Sequence, residues 1–154
     1  MKIAVVGVGN ILMGDEGAGI AVVEELRRRN VNVDLHDCGT MGVDILNTIS
    51  EYDKVIIVDA VKGFGTPGEV VKIKPREIEC GRILCLHDIN IPFLLKLAEC
   101  IMKVPEIVVI GIEVERIGEG LGLSESVKNA VNKAVELVLE EIERFKLSKE
   151  NRQK

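Results

Sequence analysis

The sequence predicts an α/β protein: a three-layer α/β/α arrangement around a five-stranded mixed sheet of order 2-1-3-5-4, with strand 4 antiparallel. Three observations lead there. Short apolar runs alternate with segments of helical periodicity along the whole chain. Residues 3–6, 55–58 and 107–110 are continuously apolar, as strands buried on both faces are. Residues 31–36 and 70–74 instead alternate apolar with polar side chains, which places them at the edges of the sheet.

The first strand, residues 3–6, ends at Gly7 and Gly9. A helix is expected over 16–29, with Ile20, Val23 and Leu26 inward, Glu24, Glu25, Arg27 and Arg28 outward, and Asp15 as its cap. In the second strand, Val31, Val33 and Leu35 face in, and Asn32, Asp34 and His36 face water. A short helix follows around Val43, Leu46 and Ile49, and the third strand ends at Asp59. Gly63, Gly65, Pro67 and Gly68 make the next connection too short and broken for a crossover helix. Strand 70–74 is therefore antiparallel, with Lys72 and Lys74 guarding an open edge. A helix over 88–102 tolerates Pro92 near its start and turns Leu94, Leu97, Ala98 and Ile101 inward. After the fifth strand, a Ser124 cap opens a final helix that buries Val127, Val131, Ala134, Val138, Ile142 and Phe145. One domain over 1–147 and a frayed polar tail over 148–154 complete the organisation.

Composition narrows the function. The formal charge is −5 and aromatic residues are 3% of the chain, with no Trp. That excludes a general nucleic-acid binder, which needs a basic footprint or stacking platforms. No apolar run approaches a membrane span and no cleavable signal precedes the first strand, so a cytoplasmic protein, expected to be monomeric, is predicted. Cys38, Cys80, Cys85 and Cys100 form no C-x-x-C pair and suit reduced, mostly buried thiols.

Chemistry concentrates in loops expected at the carboxyl edge of the sheet. The stretch from Gly7 to Gly19 resembles a dinucleotide fingerprint, but Leu12 stands where the third glycine belongs. Asp15 and Glu16 would also repel a pyrophosphate at the helix start. Two readings remain: a glycine-permitted loop with an acidic helix start, or a carboxylate held out for a cation. Asp59 is either a loop-capping residue or a second carboxylate opening on the same crevice. His87 is either a structural histidine or a third donor, whereas His36 belongs to a wet face. Together, two carboxylates and one imidazole suit a borderline divalent ion such as Ni²⁺, Zn²⁺ or Mn²⁺. No H-E-x-x-H or G-x-S-x-G is present, and a Cys85–His87 pair lacks a third orienting group.

Over nearly its full length the chain resembles the hydrogenase maturation endopeptidases, which trim the C-terminal extension from the large subunit of [NiFe] hydrogenases. The resemblance rests on Gly7, Gly9, Asn10, Leu12, Asp15, Glu16, Gly17 and Gly19, and on Asp37-Cys38-Gly39-Thr40, where Cys38 replaces a glycine. It continues through Asp59-Ala60, Pro67-Gly68, His87 and Gly122-Leu123-Ser124, and departs at Glu113-Val114-Glu115, where relatives often carry a proline. It implies a phosphorylase/hydrolase-like fold and a metal-dependent peptidase whose Glu16, Asp59 and His87 contact nickel already carried by the substrate. Asp37 would orient substrate or water, and other divalent cations would bind the free protein only weakly. The implied partner is the large-subunit precursor. Two further readings stand beside it: a non-catalytic nickel adaptor or metallochaperone using the same ligands, and a nucleotide-binding domain.

Overall fold

The computed structural model describes residues 1–75 and 91–152. Five strands, β1 (Ile3–Val8), β2 (Asp34–Gly39), β3 (Lys54–Val61), β4 (Val70–Ile73) and β5 (Glu106–Glu113), form one sheet of order β2-β1-β3-β5-β4. The β2-β1-β3-β5 pairings are parallel, and β4 runs antiparallel along β5. Both the order and the sense are those the burial pattern predicts.

Helices α1 (Ala18–Arg28) and α4 (Glu125–Arg152) cover one face of the sheet, packing on Ile3, Val5, Ile56, Val58, Val108 and Ile110. On the other face, α2 (Ile45–Ile49) and α3 (Ile91–Ile101) pack on Val6, Val55, Ile57 and Val109. The two sets alternate along each strand, as a sheet with both faces buried requires. Among the described residues, no helix is long and apolar enough to cross a membrane.

Several local expectations shift. Strand β2 starts three residues later than the alternation suggests, because Val31 and Val33 fill the side of the core from the α1–β2 connection. Asp15 caps no helix: a 3₁₀ turn, Asp15–Gly17, precedes α1 and the capping position falls on Gly17. In α3, Leu94 and Ala98 are buried as expected, but Leu97 and Ile101 are exposed, so the inward face is narrower than the four apolar positions imply. The beginning of the helix expected over 88–102 lies partly outside the described residues. Residues 148–152 continue α4 instead of fraying, since the segment lacks a helix breaker. His36 is half-buried and bonded through Nε2 to the Tyr52 hydroxyl at 2.7 Å, and Tyr52 in turn donates to Asp34 at 2.9 Å.

Candidate active site

Strand lengths open the site. The β1–β3 ladder ends at Gly7↔Val58, whereas β3 runs on beside β5 as far as Val61↔Glu113. Asp59 therefore lies inside β3, not at its end, at the first position beyond the β1 pairing. This is also where the chain's connections diverge, from β1 outward to β2 on one side and to β3 on the other. Open α/β sheets place their ligands at that switch point. Alternation puts Asp59 on the same face as Val55, Ile57 and Val61. Its Oδ1 accepts the Ala60 N–H at 2.8 Å, and the residue is 0% exposed.

Glycines bring the turn that carries Glu16 against the same strand. A methyl on Gly19 would lie 2.5 Å from the Val8 carbonyl oxygen and closer still to that of Val58, so only glycine lets α1 begin so near the two strands. The 3₁₀ turn containing Glu16 packs against β3 as a result. Gly9, with φ of 153°, allows the returning loop to touch the Glu16 carbonyl, which accepts the Asn10 N–H at 3.1 Å. Glu16 is 5% exposed. The two residues are thus buried, Glu16 in its 3₁₀ turn and Asp59 within β3, not set on the open crevice that the sequence suggests.

The other predicted residues divide. Asp37 is exposed at the carboxyl end of β2, on the same edge of the sheet, and its Oδ1 accepts the Gly39 N–H at 3.0 Å. The Gly39 carbonyl in turn accepts the Gly9 N–H at 2.9 Å, joining this turn to the β1 loop. His87 lies outside the described residues, as do Cys80 and Cys85. Cys38 is buried, and desolvation pushes its thiol pKa up, which makes it a poor nucleophile. Among the described residues, no group of three His, Cys, Asp or Glu side chains gathers to hold a metal.

Two acidic residues of this edge were not legible as supports. Glu113, at the end of β5, accepts the Gly63 N–H at 2.7 Å and the Phe64 N–H at 3.1 Å, tying down the loop after β3. Asp15 accepts N–H groups of Glu115, Arg116 and Ser124 and the Ser124 hydroxyl. Burial alone would raise the Asp15 pKa. The bonds from Arg116, Ser124 and Glu115 outweigh it and hold the carboxyl below its usual range. Neither role has a local sequence signal, because the donors are backbone groups of distant segments.

Comparison with known proteins agrees with this architecture. Residues 20–141 match the family model for the HycI hydrogenase maturation protease. The chain belongs to the hydrogenase maturation protease family. It is 30% identical over 146 residues to the hydrogenase 2 maturation protease of Escherichia coli, covering 90% of this chain and 89% of that one. The solved hydrogenase maturating endopeptidase HybD from E. coli superposes with a TM-score of 0.80 at 27% identity, covering 94% of this chain and 93% of that one. The [NiFe] hydrogenase maturation protease HybD from Thermococcus kodakarensis gives 0.78 at 30% identity, covering 91% and 98%. This member of the family is accordingly a peptidase of hydrogenase maturation. The turn carrying Glu16 and Asp59 of β3 both lie at the switch point, and carboxylates are the residue type that can act as oxygen donors to a cation or as a base for water.

Proposed function

We propose that this peptidase removes a C-terminal extension from a [NiFe] hydrogenase large-subunit precursor that already carries nickel. Glu16, Asp59 and His87 contact that ion, and Asp37 orients substrate or water. The observation that supports the reading is the convergence of the Glu16 turn and Asp59 on the β1/β3 switch point, from separate segments of chain. Two carboxylates and an imidazole are fewer donors than a closed structural metal site uses, so the protein completes a coordination shell and does not own the metal. The substrate-borne ion then polarises the nearby scissile carbonyl or lowers the pKa of an attacking water. Dependence on the ion also supplies specificity, since an unfinished large subunit lacks the group that the donors recognise.

The test compares nickel-loaded and nickel-free precursor, each incubated with the enzyme and weighed by mass spectrometry. Loss of the C-terminal peptide from the loaded form alone is the expected result, and adding nickel to the enzyme before nickel-free precursor does not replace it. Equal cleavage of the two forms overturns the substrate-metal reading. Tight binding of the loaded precursor without any cleavage favours an adaptor instead.

A further inference from the structure

The acidic pair Asp15-Glu16 does two different things. Asp15 is 1% exposed, and among the described residues its carboxylate is bonded by the segment 115–124, a hundred or more residues further along the chain. Its Oδ2 accepts the N–H groups of Glu115 at 3.0 Å and Arg116 at 2.9 Å and the Ser124 hydroxyl at 2.8 Å, while Oδ1 accepts the Ser124 N–H at 2.6 Å. Three donors converge on Oδ2 and one on Oδ1, so most of the carboxylate's acceptor capacity is spent on this segment. Asp15 is thereby engaged with the 115–124 segment, and Glu16 is the ligand candidate of the two.

The segment that Asp15 holds is rich in glycine. Gly118, Gly120 and Gly122 all have positive φ, and a methyl on any of them would meet nothing within 4 Å. Those glycines serve conformation, not packing. What closes the segment on the β1 loop is hydrogen bonding: Gly14 N–H to the Gly120 carbonyl at 2.8 Å, and Gly120 N–H to the Leu12 carbonyl at 2.9 Å. Bridges pair Met13 with Gly120 and Gly14 with Ile117. The joined loops present Leu12, Ile117 and Leu121 to solvent beside the turn that carries Glu16.

We propose that Asp15 is a positioning residue that clamps the 115–124 loop onto the loop carrying Glu16, so that the precursor meets both as one preformed edge. The inference rests on the functional reading above. Its energetic logic is preorganisation: a glycine-rich loop ordered before binding does not have to be ordered during it. Loosening the clamp therefore weakens substrate binding more than it slows the bond-breaking step.

The decisive variant is Asp15→Asn in the full chain, since an amide keeps one acceptor but turns an N–H₂ group toward a donor. Circular dichroism checks the fold, amide hydrogen exchange reports Gly14, Arg116, Gly120 and Ser124, and steady-state processing of nickel-loaded precursor separates KM from kcat. Exchange at these amides is expected to rise, with KM up about 10-fold and kcat within about 3-fold. Ser124→Ala, which removes a single donor, moves KM in the same direction by less and decides the question if Asp15→Asn does not fold. The exposed double variant Ile117→Ser, Leu121→Ser raises KM without changing exchange at Gly14. An unchanged KM in a folded clamp variant, or a fall confined to kcat, overturns the proposal while leaving the functional reading intact. If wild-type enzyme does not cut the precursor, the functional reading fails instead, and unchanged exchange in Asp15→Asn would then remove the clamp as well.

Discussion

Replacing Gly19 by Ala tests how the acidic pair of the site is brought together. The added methyl lies 2.5 Å from the Val8 carbonyl oxygen, nearer still to that of Val58, and 3.0 Å from the Val58 carbonyl carbon. All three contacts are backbone, so no flexible side chain can swing aside. Alanine would normally stabilise a helical position by up to about 1 kcal/mol relative to glycine. Overpacking a rigid site costs about 1–3 kcal/mol, and here the upper end applies because α1 must lift from two strands at once. The net expectation is a loss of about 2 kcal/mol, or about 4–8 °C in Tm for a domain of this size. Lifting α1 also moves the Glu16 turn away from β3, where Asp59 directly follows Val58, so processing should fall in the folded protein as well. Urea denaturation followed by circular dichroism measures the first effect, and a precursor-processing gel below the transition measures the second. A variant as stable as wild type would refute the close approach of α1 to the sheet and, with it, the geometry assigned to Glu16.

Three further outcomes are expected. Glu16→Gln, Asp59→Asn and His87→Ala each abolish processing of nickel-loaded precursor while circular dichroism stays native, and full cleavage by any one of them removes that residue from the site. Burial disfavours the charged form of Glu141, but hydrogen bonds from Lys72 on β4 and Arg144 on α4 outweigh it and hold the carboxyl below its usual value. Its folded pKa being depressed, the stabilisation is complete above the unfolded value of 4.5 and is lost as pH falls through the folded one. Glu141→Gln should cost about 1–3 kcal/mol at neutral pH and flatten the acid side of a urea-midpoint profile; an unchanged acid limb would contradict the assignment. Burial and the hydrogen bond to Asp34 push the Tyr52 phenol up to about 12, so the folded protein resists its ionisation and loses stability as pH rises past 10. Ultraviolet titration should show the single tyrosine ionising earlier in Asp34→Asn, and an unmoved titration would exclude the Asp34 contribution.

Much of the architecture was written locally. Continuous apolar runs at 3–6, 55–58 and 107–110 mark strands that need cover on both faces, and the alternating runs mark edges, which leaves few arrangements with right-handed crossovers. The broken Gly/Pro stretch after Asp59 rules out a crossover helix, so the sense of β4 was legible too. The edge position of Asp59 and Glu16 was legible for the same reason: each follows a continuous apolar run, and the carboxyl ends of those two strands must share an edge.

Other features depended on which distant segments met. The start of β2 is set by its ladder with β1, and Val31 and Val33, which suit a strand by themselves, instead fill the core from the connection. Helix α3 carries apolar residues around more of its surface than the sheet covers, leaving Leu97 and Ile101 outside. Asp59 moved inside its strand because β5 continues to pair where β1 has stopped. The least legible feature was Asp15. An acidic residue just before a helix has the local signature of a cap, and its actual partners are amides a hundred residues away, which any sequence can donate. Local periodicity reports which side chains seek burial. Only the folded backbone decides which hydrogen-bonding groups are left facing one another, and at this site those groups hold Asp15, next to Glu16.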